Sequence, residues 1–350
     1  MNYEALYGRL LYKIGHQHGL LYDNISFFKV DLWSGHHELL AQLPINGKMR
    51  LLSNIRLVNR LLRLEPRCAG KLNENRFVFY VAGKLWVLDI QKKTVVALDN
   101  MKPGYSVLNF CESKNSLYWG DYGTNLNHDE INIYQLDGDL NQKIVYTFSK
   151  GSIRHIHNII KDRDGFVVMV GDNEPQAGIY HANADWTEVK PWKCGEQKYR
   201  AVVGFPYKGG LLYATDSVET ENHLRIIKAN GTEKILAAIN GSCIYGGEIK
   251  DHFLFFTTVE PHEGGGKLSL LSYRLGGGIK SREVHVVAVS KKDLSVKIVK
   301  KFKKDIWPMK PFQYGRAIFA GGQEQNDDGF WCSPVACKGV DGKSVWVTVK

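Results

Sequence analysis

Long apolar runs are missing from this sequence. Nowhere do about eighteen apolar residues follow one another, so no segment reads as a transmembrane helix. Paired cysteines are missing too. Cys68, Cys111, Cys194, Cys243, Cys332 and Cys337 lie far apart, without a CxxC, and Cys332/Cys337 lack a second pair to complete a zinc site. Scattered thiols of this kind suit a reducing compartment. Unbroken runs of five or six like charges are absent, the densest basic stretches being 300–304 and 56–67, which argues against a basic tail that binds nucleic acid. There is no nucleic-acid recognition motif, GxSxG elbow, P-loop, dinucleotide fingerprint or HExxH. The first fifteen residues have an early acid, Glu4, and no stretch apolar enough for a secretory leader. The expected location is the cytoplasm as written, or the periplasm or exterior if a leader has been removed.

What is present is an ordinary globular balance over 350 residues, 44% hydrophobic and 23% charged. Against 36 Asp+Glu stand 46 Lys+Arg, a net charge of +10 that attracts anions of any kind or simply keeps the surface soluble.

A repeat runs along the chain. Its unit is a strand ending in a small or acidic residue, a loop, a second strand, a turn and a third strand. Clear copies begin at Ser116-Leu-Tyr-Trp-Gly-Asp, Gly165-Phe-Val-Val-Met-Val-Gly-Asp, Leu211-Leu-Tyr-Ala-Thr-Asp and Phe253-Leu-Phe-Phe-Thr-Thr-Val-Glu. Arg76-Phe-Val-Phe-Tyr-Val extends the series upstream and Ala317-Ile-Phe-Ala-Gly-Gly-Gln extends it downstream. Hairpin patterns follow at 84–98, 131–148, 178–192 and 223–239, and one stands early at 26–43. Repeats of roughly 40–50 residues with four short strands each are the pattern of propeller blades. The reading is an all-β chain folded as a β-propeller of four-stranded antiparallel blades, seven of them, with six as the alternative and a pair of β-sandwiches as the competing architecture. Residues 1–350 read as one domain, the segment 1–45 forming or closing an incomplete blade. Residues 49–64 fit a helix and a strand equally well, and Gly264-Gly-Gly and Gly276-Gly-Gly read as loop insertions.

Aligned strand ends bring distant residues to one end of a propeller. The polar set there is Asp121, Tyr122, Asn125, Asp172, Asn173, Asp216, Asn222, Glu260 and Gln323. Asp and Asn also favour such turns for their own hydrogen bonds, so a structural role stands beside a binding one. In Gly151-Ser-Ile-Arg-His-Ile-His, strand alternation puts His155 and His157 on one face, flanked by Arg154. They suit proton transfer, a divalent metal, or hydrogen bonds within a wall. Tyr199-Arg200 and Gln313 with Arg316 each open a further strand. An arginine beside a uronic acid neutralises its carboxylate and acidifies the C5 proton for a Tyr or His base.

The order Gly120-Asp-Tyr-Gly-Thr-Asn125, Ile153-Arg-His-Ile-His157, Val170-Gly-Asp172, Tyr199-Arg200, Asp216 with Asn222, Thr258-Val-Glu260 and Lys303-Lys-Asp305 leading to Phe312-Gln-Tyr-Gly resembles the sialidase-like (BNR-repeat) propellers of bacteria. More narrowly it is similar to a branch associated with surface-polysaccharide gene sets, over residues 55–330. The Asp boxes of true sialidases are degenerate here, as in Asn183-Ala-Asp-Trp-Thr-Glu, and their arginine triad and nucleophile pair have no matching motif. The resemblance implies lyase or glycoside hydrolase chemistry on an acidic poly- or oligosaccharide. His155, His157, Tyr199 and Arg200 are then the expected catalytic residues. Arg154, Gln313 and the strand-end polar set are expected at the substrate. No cofactor is assigned; a divalent metal at His155/His157 is the candidate. A propeller that only binds glycan or a protein partner is the competing reading.

Overall fold

The computed structural model describes residues 5–98, 101–262, 264 and 271–349. It is a seven-bladed β-propeller of four-stranded antiparallel sheets. After β1 (Ala5–Tyr7), six sheets form in chain order. The first holds β2 (Arg9–Ile14), β3 (His18–Asp23), β4 (Ser26–Asp31) and β5 (His37–Gln42). The second holds β6 (Cys68–Lys71), β7 (Arg76–Val81), β8 (Lys84–Asp89) and β9 (Thr94–Leu98), and the third β10 (Cys111–Ser113), β11 (Ser116–Gly120), β12 (Ile131–Asp137) and β13 (Gln142–Phe148). The fourth has β14 (Ile156–Lys161), β15 (Gly165–Val170), β16 (Gly178–Asn183) and β17 (Val189–Cys194). In the fifth are β18 (Ala201–Tyr207), β19 (Gly210–Thr215), β20 (Asn222–Ile227) and β21 (Glu233–Ile239), and in the sixth β22 (Cys243–Ile249), β23 (His252–Thr257), β24 (Glu283–Ser290) and β25 (Val296–Lys303). The last sheet takes β26 (Arg316–Phe319), β27 (Gly329–Val335) and β28 (Lys343–Thr348), and its fourth strand is β1. The early segment therefore divides between two sheets: 9–42 make a full one, and 5–7 complete another. Of the Gly264-Gly-Gly insertion, Gly265 and Gly266 lie outside the described residues.

The residues group into two compact units, Pro66–Thr215 and Met1–Glu65 with Asp216–Lys350. In the first, β6, β10, β14 and β18 are neighbours, so the first strands of successive sheets stand side by side. The second strands are buried on both faces: every residue of β15 is buried, with Phe166, Val168 and Val170 packed beside Ile133, Ile156 and Trp186. Trp119 stacks on Tyr134 at 5.6 Å. The acids aligned in the sequence therefore end second strands, not first ones. Because adjacent strands run antiparallel, the start of a first strand and the finish of the second lie at one end of a sheet.

In the other unit, β1 pairs with β28 through Ala5↔Val345, Leu6↔Ser344 and Tyr7↔Lys343. Residues 49–64 fall on two short helices. Helix α1 (Gly47–Ser53) is capped by Asn46, whose side chain accepts from the Met49 N–H at 2.9 Å, and α2 (Arg56–Leu62) ends at Arg63 in the left-handed region. Helical spacing puts Arg56 and Arg60 on one face, and both reach half-buried carboxylates. Arg56 grips Asp341 with two bonds of 2.7 and 2.8 Å and also pairs with Glu65; Arg9 holds Glu65 at 2.6 Å. Arg60, only 1% exposed, pairs with Asp305 at 2.5 Å and donates to the Phe312 carbonyl. Buried ion pairs of this kind add little net stability, but losing one partner strands the other charge.

Arg60→Ala should lower the unfolding free energy by about 1–3 kcal/mol, read from the denaturant midpoint, because the Phe312 carbonyl loses its donor while Asp305 keeps Lys304 and Asp341 keeps Arg56. Burial alone would raise the Glu65 and Asp341 carboxyls, yet the arginines hold both below their ordinary values. Depressed carboxylates contribute stability above their ordinary pKa and lose it as pH falls through the folded value. The contribution of this network should thus vanish only on acidification below pH 4.5, the ordinary value for Glu65.

Candidate functional site

The unit Pro66–Thr215 carries the densest cluster of candidate residues. Arg67 precedes β6, Asn109 precedes β10, His155 precedes β14 and Arg200 precedes β18, all at the end of the sheets where β11 and β15 deliver Asp121 and Asp172. The chain is tied at His155 from both sides: its carbonyl accepts from the Gly171 N–H at 3.0 Å, and the Ile156 N–H donates to the Asp121 carbonyl at 2.9 Å. Between Ile156 and Asn158 the register with β15 shifts, making His157 the extra residue of a bulge. Simple alternation predicts a shared face for the two histidines; a bulge at His157 accompanies their meeting, as bulges re-aim side chains at strand starts.

The two imidazoles meet tip to tip. His155 donates from Nδ1 to the Gly123 carbonyl at 2.6 Å, and His157 donates from Nδ1 to the Ala201 carbonyl at 3.0 Å. With each Nδ1 committed to a backbone acceptor, each neutral ring presents a lone pair at Nε2, and these atoms lie 3.2 Å apart. Burial is the main cause that pushes both imidazoles down to about 3, helped for His155 by His157, Arg200 and Arg154, and for His157 by Arg200. Both are neutral at ordinary pH. Facing lone pairs call for a proton or a cation between or beside them.

Gly171 makes room for this pair, since a Cβ there would run into both Nε2 atoms. Tyr122 lies against His155 with ring centroids 4.7 Å apart, and the Arg67 guanidinium covers the other part of the group, 5.0 Å from the Tyr122 ring centre. The Nε of Arg154 is buried without a hydrogen-bond partner. Asp172 accepts from the Asn173 N–H at 2.8 Å and pairs with His128 at 2.7 Å.

Several predicted residues are engaged elsewhere. Asp121 accepts from the Asn132 N–H at 3.0 Å, and burial raises its carboxyl. Asn125 holds the carbonyls of Asp129 and Arg154 and accepts from the Asp129 N–H, bracing the loop behind the histidines. Asn173 is exposed. Tyr199 is buried in a 3-10 turn, Gln197–Tyr199, beneath the Lys198 ammonium at 4.9 Å. The remaining five belong to the other unit. Asp216 is buried there, and Asn222 closes the turn that carries the Ser217 and Thr220 carbonyls. Glu260 accepts from Ser242 and Thr258, Gln313 bridges the Arg60 carbonyl and Arg316, and Gln323 satisfies the Ala320 and Trp331 backbone. Gln323 follows the first strand β26, so it sits at the end of its sheet opposite to Gln313 and Arg316; the downstream repeat copy was aligned one strand out of phase.

The sequence reading missed Arg67 and His128. Arg67 stands one residue before a first strand, as His155 and Arg200 do, so aligning strand starts as well as strand ends would have found it. His128 lies seven residues past Asp121 in a loop whose spacing carries no signal of its own.

Neither a family model nor a curated protein matches this sequence. Solved structures do match. An oligogalacturonate lyase in complex with manganese is 7% identical, with 99% of this chain and 90% of that chain covered at a TM-score of 0.56. An oligogalacturonate lyase from Vibrio parahaemolyticus is 7% identical, covering 100% and 92% at 0.55. A chain of the mitotic checkpoint complex is 8% identical, covering 98% and 89% at 0.57. This likeness is one of fold. A lyase and a checkpoint assembly share it, so the propeller by itself selects no activity. None of the three is a sialidase, so the resemblance to sialidase-like propellers stands on the sequence motifs alone.

Gly171→Ala should break the imidazole contact while β15 still forms, seen as an altered His155 and His157 environment by imidazole NMR. Buried neutral histidines bind fewer protons than the unfolded chain between pH 6.5 and about 3. Their contribution is present above 6.5 and lost as pH falls through that window. A His155→Gln/His157→Gln chain should therefore show a shallower loss of stability between pH 6.5 and 4 in denaturant titrations.

Proposed function

We propose that the cluster around His155 and His157 binds an acidic oligosaccharide and cleaves it by elimination. The observation that carries this reading is the pair of carbonyl-locked, neutral imidazoles facing each other at 3.2 Å with the charges of Arg154 and Arg200 close by. The oligogalacturonate lyases that share the fold act, by name, on an acidic sugar of this class.

In this reading a uronate carboxylate lies between Arg154 and Arg200. Neutralising it acidifies the C5 hydrogen, and the arriving negative charge reverses the part of the histidine depression that the arginines cause. One imidazole Nε2 takes the C5 proton. The electron pair left on C5 forms the C4–C5 double bond, and the glycosidic oxygen leaves C4 carrying a proton supplied by Tyr122. Tyr122 fits this role through its contact with His155. Tyr199, buried under Lys198, is the alternative donor.

A second reading is favoured by one distance. Two ligands about 2.1 Å from one ion and roughly at right angles stand about 3 Å apart. The Nε2 separation of 3.2 Å fits that span, so His155 and His157 suit two positions on a divalent cation. Among the described residues no group of three or more His, Cys, Asp or Glu side chains gathers, so the other positions would fall to water and substrate. Such an ion would polarise the substrate carboxylate, a task that Arg154 and Arg200 otherwise perform alone. A third reading, simple glycan binding, uses the same arginines without proton transfer.

The deciding experiment incubates the protein with oligomers of several uronic acids, reading ultraviolet absorbance of the unsaturated product and reducing ends together. Elimination raises both signals, and His155→Ala or His157→Ala should lower the rate by about 10²–10⁴-fold. Reducing ends without absorbance mean hydrolysis and overturn the elimination step. Binding without either signal leaves the glycan-binding reading. Elemental analysis of purified protein, with and without the histidines, decides between proton and ion.

A further inference from the structure

The unit Met1–Glu65 with Asp216–Lys350 carries a surface that the saccharide site does not use. Residues 46–63 contain five Lys or Arg and no Asp or Glu. Their helices, α1 and α2, pack on each other, and α2 packs on the short helix α3 (Met309–Phe312). Large apolar side chains point outward from this group: Leu51 is 72% exposed and Ile306 77%, with Leu52, Ile55, Leu61 and Trp307 also exposed. Lys48, Arg50 and Lys303 are exposed as well.

An isolated seven-residue helix is marginal in water, and here the hidden face supplies the stability. Arg56 and Arg60 bind Asp341, Asp305 and the Phe312 carbonyl below, as described, while Lys304 pairs with Asp305 and donates to the Trp307 carbonyl at 2.9 Å. These bonds anchor α2 and the loop 305–307 on their inner side, while Ile55, Leu61, Ile306 and Trp307 stay exposed. Exposed leucines and a tryptophan in a unit that also exposes Lys48, Arg50 and Lys303, with no acid among residues 46–63 and the loop's one acid, Asp305, paired to Arg60 and Lys304, match the composition of an interfacial helix at a negatively charged bilayer. Lysine is depleted in protein interfaces, which weighs against a protein partner of ordinary kind.

We propose that α1, α2 and the loop 305–308 form a docking surface for an anionic phospholipid bilayer, with Leu51, Ile55, Ile306 and Trp307 entering the headgroup boundary and Lys48, Arg50 and Lys303 meeting lipid phosphates. The docking is reversible and peripheral, and it does not depend on the saccharide reading.

The test is co-sedimentation of the full chain with vesicles of phosphatidylcholine containing one part in three phosphatidylglycerol, against phosphatidylcholine alone. The expected result is binding to the charged vesicles that weakens as salt rises. Lys48→Glu with Arg50→Glu should weaken it by at least about fivefold per charge. Leu51→Ser with Ile306→Ser should weaken it further. All four positions are exposed, so unchanged thermal melting shows that the variants remain folded. Quenching of Trp307 by brominated lipid, absent in Trp307→Phe, reports insertion directly. Failure to bind charged vesicles at low salt overturns the proposal, as does equal binding to neutral vesicles or binding indifferent to the substitutions. A dimer in sedimentation velocity that Leu51→Ser/Ile306→Ser dissolves, without vesicle binding, overturns it in favour of a second copy of the chain.

Discussion

A strand that is apolar on both faces cannot sit at a surface, and this fold depends on that constraint. In β15 all six residues are buried. In β19 and β27 every residue is buried too. One four-stranded sheet covers neither of its own faces, so each must be flanked by others. Outer strands obey the opposite rule: β13, β21 and β25 keep mostly exposed or half-buried residues because they have solvent on one side. The gradient from apolar second strand to polar fourth strand repeats, and the site residues gather at the strand ends, where polar side chains are buried against one another and against backbone carbonyls.

That gradient is why the architecture could be read from the amino acids. Ser116-Leu-Tyr-Trp-Gly-Asp and Gly165-Phe-Val-Val-Met-Val-Gly-Asp recur as strands once per sheet, as the repeat requires, but they are the second strand of each sheet and not the one that opens it. Residues 49–64 were ambiguous because a short apolar run with arginines satisfies both periods; the Asn46 cap and the half-buried partners of Arg56 and Arg60 decide for helix. Gln323 misled for a different reason: an amide after Ala-Gly-Gly looks like a strand end, yet it serves the backbone of its own hairpin.

The histidine pair was legible as a spacing and not as a mechanism. Alternation puts His155 and His157 on one face, although the structure brings them together with a bulge at His157. It says nothing of the carbonyls of Gly123 and Ala201, which come from neighbouring loops and strands and fix both tautomers. Nor does it expose Gly171 as the residue whose missing side chain leaves space for both rings. The two carbonyl bonds depend on backbone atoms, which every residue has, so residue identity cannot announce them. The amides Asn125 and Asn222 show the reverse case, where side chains suited to ligands are occupied in holding loops.

β1 pairs with β28 through Leu6↔Ser344, and nearby in β2 the Leu10 N–H donates to the Ser344 hydroxyl at 2.7 Å, 334 positions away. At ribosomal speeds, roughly 15–70 s separate the synthesis of those two partners. Throughout that interval the nascent chain carries β1 without its neighbour and must keep it from pairing elsewhere. Three residues with exposed Ala5 and Tyr7 around a single buried Leu6 make a poor template for a foreign edge. The shortness of the closing strand thus protects the chain while it is being made.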